Sequence, residues 1–139
     1  RGRAAGVNIV PSSTGAAIAV TRAFESLKDK FDGIAIRVPV VTGSLIDFTF
    51  VAKRPTSVEE VNSAFIEASK SKRWKGILAV APDQFVSSDI IGLPFPSIVD
   101  LEYTKVVDND LVKVLAWYDN EWGYTTTLVS HVIEAGGTV

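Results

Sequence analysis

Hydroxyl residues and a glycine cluster where the first helix of the chain is predicted to begin. The segment "SSTGAA" places three hydroxyl residues, at positions 12–14, directly before Gly15, and apolar residues then recur at helical spacing. The N–H groups at a helix start lack partners within the helix, and a glycine lets an anion approach them. The first acidic residue, Glu25, lies near the far end of this helix. The segment is therefore a candidate phosphate site, although Ser and Thr are also ordinary N-cap residues.

Arginines are the second group of candidate anion ligands. Arg37 interrupts the strand-like run "GIAIRVPV", and its guanidinium can form two parallel hydrogen bonds with a phosphate or carboxylate. An ion pair with Asp47 on a neighbouring strand is an equally good interpretation, and the two roles are compatible. Arg1 and Arg3 precede the helix closely enough for a folded loop to bring one of them to the same anion. As charges near a chain end, they are also typical solvated residues.

Composition excludes several classes of function. The 139 residues contain no Cys, which excludes disulfides, thiolate metal sites and thiol nucleophiles within this chain. The single histidine, His131, lies in a predicted helix without a serine nucleophile motif, so we predict neither a catalytic triad nor a metal site. A net charge of −2 and the absence of a long apolar run argue against nucleic-acid and membrane partners.

Aromatic and polar residues are concentrated in "WYDNEWGY", between an apolar run and a Thr-rich one. The pattern is typical of a strand that ends and delivers the chain to a helix. Trp117 and Trp122 are expected to anchor the core or an interface. Asp119, Glu121 and Gly123 are expected to shape the turn between strand and helix.

The elements that must position these residues follow from periodicity and turn signals. Three helices are predicted, with Ser12 or Ser13 near the N-cap of the first, capping boxes at the start of the second and glycines after the third. Two antiparallel hairpins are predicted, one across "VTG" and one across "DND". Their strands are "FDGIAIRVPV" with "SLIDFTFVAK" and "YTKVV" with "LVKVLAWYD", and "KGILAVA" and "SIVDL" add further strands. This order predicts an α+β fold, with a mostly antiparallel or mixed sheet and helices packed on one face.

In the order "RGRAAGVNIVPSSTGAA", "IAIRVPV" and "WYDNEWGY", the chain resembles the catalytic domain of phosphorylating glyceraldehyde-3-phosphate dehydrogenases. The resemblance runs from Arg1 to about Glu134 and implies an NAD-dependent, cytoplasmic enzyme of glycolysis. It implies that residues 1–139 are a partial catalytic domain, with the nucleotide-binding domain absent. The related dehydrogenases acting on erythrose 4-phosphate share these motifs, so they remain an alternative within the family.

The resemblance assigns the anion-binding residues. Thr14 and Gly15 correspond to the site for inorganic phosphate, Arg37 to the arginine shared between two anion sites, and Arg1 to the arginine that closes them. The expected ligands are phosphate or a phosphorylated triose, bound weakly because other anion-binding residues of the family precede this segment.

The resemblance also assigns the cofactor contacts. Asn120 matches the asparagine that hydrogen-bonds the nicotinamide carboxamide of NAD, and Tyr124 matches the tyrosine packed against the nicotinamide ring. The catalytic cysteine and histidine of the family precede the matching segment, so no catalytic residue is assigned here and the chain is expected to be inactive alone.

The expected partners are the missing N-terminal segment of the same enzyme and further copies of the chain in a homo-oligomer. Two other functions fit the same residues: a self-associating structural module and a weak phosphate-binding domain. Turnover, oligomeric state and phosphate affinity distinguish the three.

Overall fold

The computed structural model describes residues 2–137 and divides the chain into two compact units, the first ending at Val41 and the second beginning at Thr42. The first unit contains one helix and two short strands, with 3₁₀ turns at Ala5–Val7 and Glu25–Leu27. The second contains two helices and four strands. In chain order the helices and strands are β1 (Val10–Ser12), α1 (Ala16–Ala23), β2 (Ala35–Arg37), β3 (Ser44–Val51), α2 (Val58–Lys70), β4 (Leu78–Val80), β5 (Ser97–Val107), β6 (Leu111–Tyr118) and α3 (Trp122–Gly136).

In the first unit, β1 and β2 form a two-stranded antiparallel sheet. Helix α1 follows β1 and confirms the predicted first helix, but it is shorter than the apolar spacing predicts. Gly15 rather than Ser12 or Ser13 is its N-cap. At Phe24 the backbone leaves the helical region (φ −125°, ψ 84°), and this side chain is 62% exposed. The apolar residues continue at helical spacing past Ala23. The helix nevertheless ends there, because Phe24 is not buried and tertiary packing does not stabilise a further turn.

The second unit is built on a mixed sheet in the order β3-β6-β5-β4. β6 pairs antiparallel with both β3 and β5, whereas β4 and β5 are parallel. Helix α2 packs against β4 and β5. The α+β fold with a mixed, mostly antiparallel sheet is therefore confirmed.

The hairpin across "DND" is confirmed as the β5–β6 connection. Asp108 and Asn109 adopt positive φ angles of 50° and 63°, the backbone that tight hairpin turns require. The predicted strands "SIVDL" and "YTKVV" form one continuous strand, β5.

The hairpin predicted across "VTG" is wrong. β2 pairs with β1, and β3 pairs with β6 along eight residue pairs. The Asp47 carboxylate forms its ion pair with Lys113 of β6, so the predicted pairing of Asp47 with Arg37 is also wrong. The β-branched and aromatic pattern predicts that both segments are strands but does not determine their partners, because pairing depends on contacts distant in sequence.

Ser57 is confirmed as the N-cap of α2, and its hydroxyl accepts a hydrogen bond from the Glu60 N–H at 3.2 Å. The Glu60 carboxylate accepts hydrogen bonds from Arg54 and, at 2.8 Å, from the Thr56 hydroxyl. These two bonds lower the pKa of Glu60 to about 2. The carboxylate is therefore ionised at neutral pH, close to the positive end of α2.

Among the described residues, the buried apolar side chains lie mainly in the second unit: Ile90 before β5, Ile98 and Val99 in β5, and Val112 and Val114 in β6. The first unit buries Ala17 of α1. Helix α3 contributes little to the buried part of the unit, because Gly123 is the only one of its residues that is buried. None of the helices in residues 2–137 is long and apolar enough to cross a membrane. The large apolar side chains that α3 leaves exposed include Trp122, Leu128, Val129, Val132 and Ile133.

Candidate functional site

The start of α1 carries the candidate phosphate residues. The Thr14 hydroxyl, one residue before the N-cap Gly15, accepts a hydrogen bond from the Ala16 N–H at 3.2 Å. Gly15 has an ordinary backbone conformation (φ −80°, ψ −4°), and a Cβ added there would meet no atom within 4 Å. Neither backbone strain nor internal packing therefore requires glycine at this position.

Arg37 lies at the end of β2, opposite Val10, and Ser12 lies opposite Ala35. The two residue pairs are about 7 Å apart along the strands, and Ser12 leads directly to the start of α1. The same small sheet therefore holds Arg37 and the segment containing Thr14 in one unit. Arg37 is exposed, and within residues 2–137 its guanidinium has neither an ion pair nor a hydrogen bond. The prediction for Arg1 falls outside the described residues.

The junction between β6 and α3 is organised by Asp119, which is only 4% exposed. One carboxylate oxygen accepts the N–H groups of Glu121 (2.9 Å) and Trp122 (2.8 Å), and the other accepts the Gly92 N–H at 2.8 Å. These hydrogen bonds, the one from Gly92 first, lower the pKa of Asp119 because they favour its charged form. Asp119 thus caps α3 and also holds the loop that contains Gly92.

Gly123 brings the first turn of α3 close to the segment before β5. A Cβ at this position would lie 3.1 Å from the carbonyl oxygen of Phe95. The predicted roles of Asp119 and Gly123 in the turn are therefore confirmed, and each has a physical cause. Trp117 is half-buried and donates a hydrogen bond from Nε1 to the buried carboxylate of Asp100 at 3.0 Å, while Trp122 is 56% exposed.

The candidate nicotinamide contacts lie on the outer side of this junction. Asn120 is exposed, and its Oδ1 accepts the Gly43 N–H at 2.8 Å and, at 3.4 Å, the Thr42 hydroxyl. Tyr124 lies in the first turn of α3 and is 66% exposed. An amide and an aromatic ring are thus presented to solvent beside the same strand-to-helix turn. Their contact with a nicotinamide stays a prediction.

The sequence interpretation missed Gly43. It adopts φ +97°, where residues with side chains are strained, and its N–H holds the amide of Asn120. The glycine in "VTG" was read only as a turn residue. Its partner is 77 residues away, so no local pattern indicates it.

A surface cleft of about 610 Å³ lies beside β4 and β5, and none of the candidate phosphate or nicotinamide residues lines it. Its charged lining is acidic, formed by Asp83, Asp100 and Glu102, and Asp100 is already bonded to Trp117. Such a lining disfavours phosphate and dinucleotides. Within residues 2–137 no group of three or more acidic, His or Cys side chains is arranged to hold a metal ion.

The second unit thus has a mixed sheet, with an exposed amide and an aromatic ring beside its β6–α3 turn. The chain matches the family model "Glyceraldehyde 3-phosphate dehydrogenase, C-terminal domain" over residues 1–120. It therefore belongs to the glyceraldehyde-3-phosphate dehydrogenase family as a C-terminal domain. The family match ends at Asn120, so Tyr124 and the rest of α3 lie beyond it.

Individual relatives extend the similarity through α3. The chain is 52% identical over 136 residues to the glyceraldehyde-3-phosphate dehydrogenase of Mycobacterium avium, covering 98% of this chain and 40% of that protein. It is 52% identical over 125 residues to glyceraldehyde-3-phosphate dehydrogenase 2 of Trichormus variabilis, covering 90% of this chain and 37% of that protein. It is 45% identical over 139 residues to glyceraldehyde-3-phosphate dehydrogenase 1 of Streptomyces avermitilis, covering the whole chain and 41% of that protein. The chain thus spans about two fifths of the length of these relatives.

Proposed function

We propose that this chain supplies the phosphate-contacting and nicotinamide-contacting part of an NAD-dependent glyceraldehyde-3-phosphate dehydrogenase. The family membership carries this proposal, since the similarity extends over nearly the whole chain. Because the 139 residues contain no Cys, a thiolate nucleophile has to come from another part of the enzyme. The chain by itself is then inactive.

The proposed phosphate site is supported by groups near the start of α1 that are available to a ligand. The free N–H groups there have a positive potential, Gly15 leaves room beside them, and Arg37 has no competing anion within the described residues. In this proposal the Thr14 hydroxyl and the backbone bind inorganic phosphate, or the phosphate of a triose, and Arg37 neutralises its charge. Orientation of the anion toward the acyl group is the contribution of these residues to the reaction.

The cofactor role is supported by the chemistry of the exposed groups at the β6–α3 junction. An amide can hydrogen-bond a carboxamide, and the Tyr124 ring offers an aromatic surface to a pyridine ring. NAD, when bound, accepts the hydride that leaves the aldehyde carbon. Asn120 and Tyr124 orient the ring that receives it and take no part in bond making.

Two measurements test the proposal. The purified chain, given glyceraldehyde 3-phosphate, phosphate and NAD, is expected to produce no NADH above background, and turnover would contradict the claim that the nucleophile lies elsewhere. Titration with phosphate, followed by NMR, is expected to show weaker binding for Thr14→Ala and Arg37→Ala than for the unmodified chain. Arg22→Ala is the control, because Arg22 is exposed in the last turn of α1, at the negative end of the dipole. Equal affinity in all four proteins would remove the phosphate site.

We further propose that the second unit self-associates. β3 is an edge strand of the sheet, eight residues long, and Ile46 and Phe48 along it are exposed by 47% and 38%. An unpaired edge with exposed apolar side chains favours association with another sheet. Sedimentation is expected to show dimers or larger species, and a strict monomer at high micromolar concentration would exclude this function.

A further inference from the structure

Asp32 is the only aspartate of the chain that a glycine follows, and none of the asparagines precedes a glycine. The pair lies between the 3₁₀ turn Glu25–Leu27 and β2, where residues 31–34 form neither helix nor strand. Asp32 and Gly33 are both exposed, so water reaches the carboxyl and the backbone that follows it. A Cβ at Gly33 would meet no atom within 4 Å. No residue beyond its chain neighbours therefore packs against that side of the loop.

The Asp32 carboxyl is directed at the backbone nitrogen of the next residue. Its Oδ1 accepts the Gly33 N–H at 2.7 Å. Because Cγ is one C–O bond of about 1.2 Å from Oδ1, it lies within about 4 Å of the Gly33 nitrogen. This limit is close to the separation of about 3–3.5 Å at which two reacting atoms are well placed. A bond between Cγ and this nitrogen would close a succinimide ring.

Other aspartates that accept backbone N–H groups direct their carboxylates elsewhere. Asp100 accepts the N–H of Glu102. One oxygen of Asp119 accepts the N–H of Glu121. In both cases the donor is not the residue directly after the aspartate, and that next residue carries a side chain. Asp32 therefore differs from these aspartates in the direction of its carboxyl and in the absence of steric hindrance at the next nitrogen.

We infer that the Asp32 and Gly33 pair is a site of spontaneous covalent modification, at which Asp32 converts to isoaspartate through a succinimide. The Gly33 nitrogen bonds to Cγ of the protonated carboxyl, and the hydroxyl leaves with the amide proton as water. Water then adds to the ring. Cleavage of the Cγ–N bond restores aspartate, whereas cleavage between the nitrogen and the Asp32 carbonyl carbon gives isoaspartate. The conversion consumes no other reactant and leaves the charge unchanged.

The modification changes the backbone that leads into β2. Isoaspartate continues the chain through Cβ and Cγ, which inserts one CH₂ group into the backbone three residues before β2 begins at Ala35. This strand has only three residues, and Arg37 at its end lies opposite Val10. The product also carries a free α-carboxylate, the group that L-isoaspartyl methyltransferases methylate. The modified loop is therefore a substrate for that class of repair enzyme.

Peptide mapping by mass spectrometry tests the site in the purified, folded chain kept at physiological temperature. Mild acid is used because a protonated carboxyl is a better electrophile than a carboxylate. Isoaspartate is expected at Asp32, preceded by a species that lacks one water, and methyltransferase labelling should locate to the same peptide. Every other aspartate should react at least about tenfold more slowly, since misplacement of reacting groups costs at least that much. No isoaspartate at Asp32, or equal rates at all aspartates, would overturn the inference.

A comparison of the folded chain with the same chain unfolded in guanidinium chloride tests the contribution of the loop geometry. The rate at Asp32 in the folded chain is expected to be at least as high as in the unfolded chain, because the exposed carboxyl already faces the Gly33 nitrogen. A rate lower by about tenfold or more in the folded chain would show that the fold protects this peptide bond, which contradicts the inference.

Gly33→Ala tests the need for an unhindered nitrogen. Gly33 does not have a positive φ, and the added Cβ meets no atom within 4 Å, so the variant should fold normally. The methyl group beside the nitrogen should slow isoaspartate formation at Asp32 by about tenfold. Gly6→Ala, which also gains no contact within 4 Å, is the matched control and should leave the rate unchanged. Equal rates in the two variants and the unmodified chain would contradict the mechanism.

Asp32→Asn tests the same ring closure with a different leaving group. The side-chain amide needs no protonated carboxyl, so the succinimide should form at neutral pH with release of ammonia. Hydrolysis then gives aspartate and isoaspartate, and the peptide gains the mass difference between an amide and an acid. Deamidation at position 32 should be at least about tenfold faster than at Asn62, which lies within α2. Equal deamidation at the two positions would count against a reactive loop.

Discussion

The β6–α3 junction and the start of α1 have similar sequence signals, with small polar residues and a glycine beside a helix, but they differ in how these groups are used. At the junction, Asp119 accepts three backbone N–H groups and Gly123 is needed for close packing. At the start of α1, a Cβ at Gly15 would meet no atom within 4 Å, and Arg37 has no partner within the described residues. The junction is thus a rigid frame that presents one amide, whereas the α1 segment leaves its groups open for a ligand.

The largest expected effect of a substitution on stability is that of Asp119→Ala. The change leaves three backbone N–H groups of a nearly buried turn without their acceptor, so the free energy of unfolding should fall by about 3 kcal/mol. Urea unfolding measures this loss. The control is Asp32→Ala, because Asp32 accepts only the N–H of Gly33 in an exposed loop. Similar losses in the two variants would refute the view that Asp119 organises the junction.

The two glycines give the next contrast. Gly123→Ala places a Cβ 3.1 Å from the Phe95 carbonyl oxygen, and overpacking of this kind lowers stability by about 1–3 kcal/mol. Gly15→Ala meets no atom and should change stability by less than about 1 kcal/mol, while weakening phosphate binding. Gly136→Ala, also without a contact within 4 Å, is the control in α3. Thermal unfolding measures these losses. A larger loss of stability for Gly15→Ala than for Gly123→Ala would contradict the prediction.

A smaller effect is expected from acid. The folded-state pKa of Asp119 is below its unfolded value, because hydrogen bonds favour the carboxylate. Its contribution to stability is therefore complete above the unfolded pKa of about 4 and is lost as the pH falls through the lowered pKa. The difference in unfolding free energy between the unmodified chain and Asp119→Asn should therefore be unchanged from about pH 6 to about pH 5 and shrink below about pH 4. A difference that grows on acidification would have the wrong sign.

The smallest effect on stability is expected for Thr14→Ala. Its hydroxyl accepts one long hydrogen bond, from the Ala16 N–H at 3.2 Å, at the end of a short helix. Loss of one such hydrogen bond at a helix start should lower the free energy of unfolding by roughly 0.5 kcal/mol, measured by urea unfolding. Thr14→Ser retains the hydroxyl and is the matched control. If the free energy of unfolding fell by more than about 2 kcal/mol, the Thr14 hydroxyl would be needed for folding, as the Asp119 carboxylate is at the β6–α3 junction.

Patterns local in sequence predicted most of the elements. Capping residues indicated α2, and the turn at "DND" indicated the β5–β6 hairpin, because both depend on neighbours a few residues away. The pairing of β3 was not predictable in this way, since "VTG" looks like a hairpin turn and β6 begins 60 residues after Val51. Helical spacing also predicts too long an α1, because it indicates an apolar face without showing whether other residues cover that face.

The candidate site residues came from motifs, and the structure added their surroundings. "SSTGAA" and "WYDNEWGY" indicated Thr14, Gly15, Asn120 and Tyr124 together with their family. The same motifs did not indicate Gly43, or which end of the Asn120 amide is free, because both depend on a hydrogen bond between residues 77 positions apart.

By itself, the sequence determined the family, the α+β class, the absence of a thiol nucleophile in this chain and the residue types available for anion and amide contacts. Those properties depend on composition and short spacing. Only the tertiary structure decided that β3 pairs with β6 and that the Asp119 carboxylate accepts three backbone N–H groups. It also decided that the Asn120 side chain bonds through its oxygen and leaves its NH₂ group exposed. These follow from hydrogen bonds and close packing between distant segments, whose geometry exists only when the chain is folded.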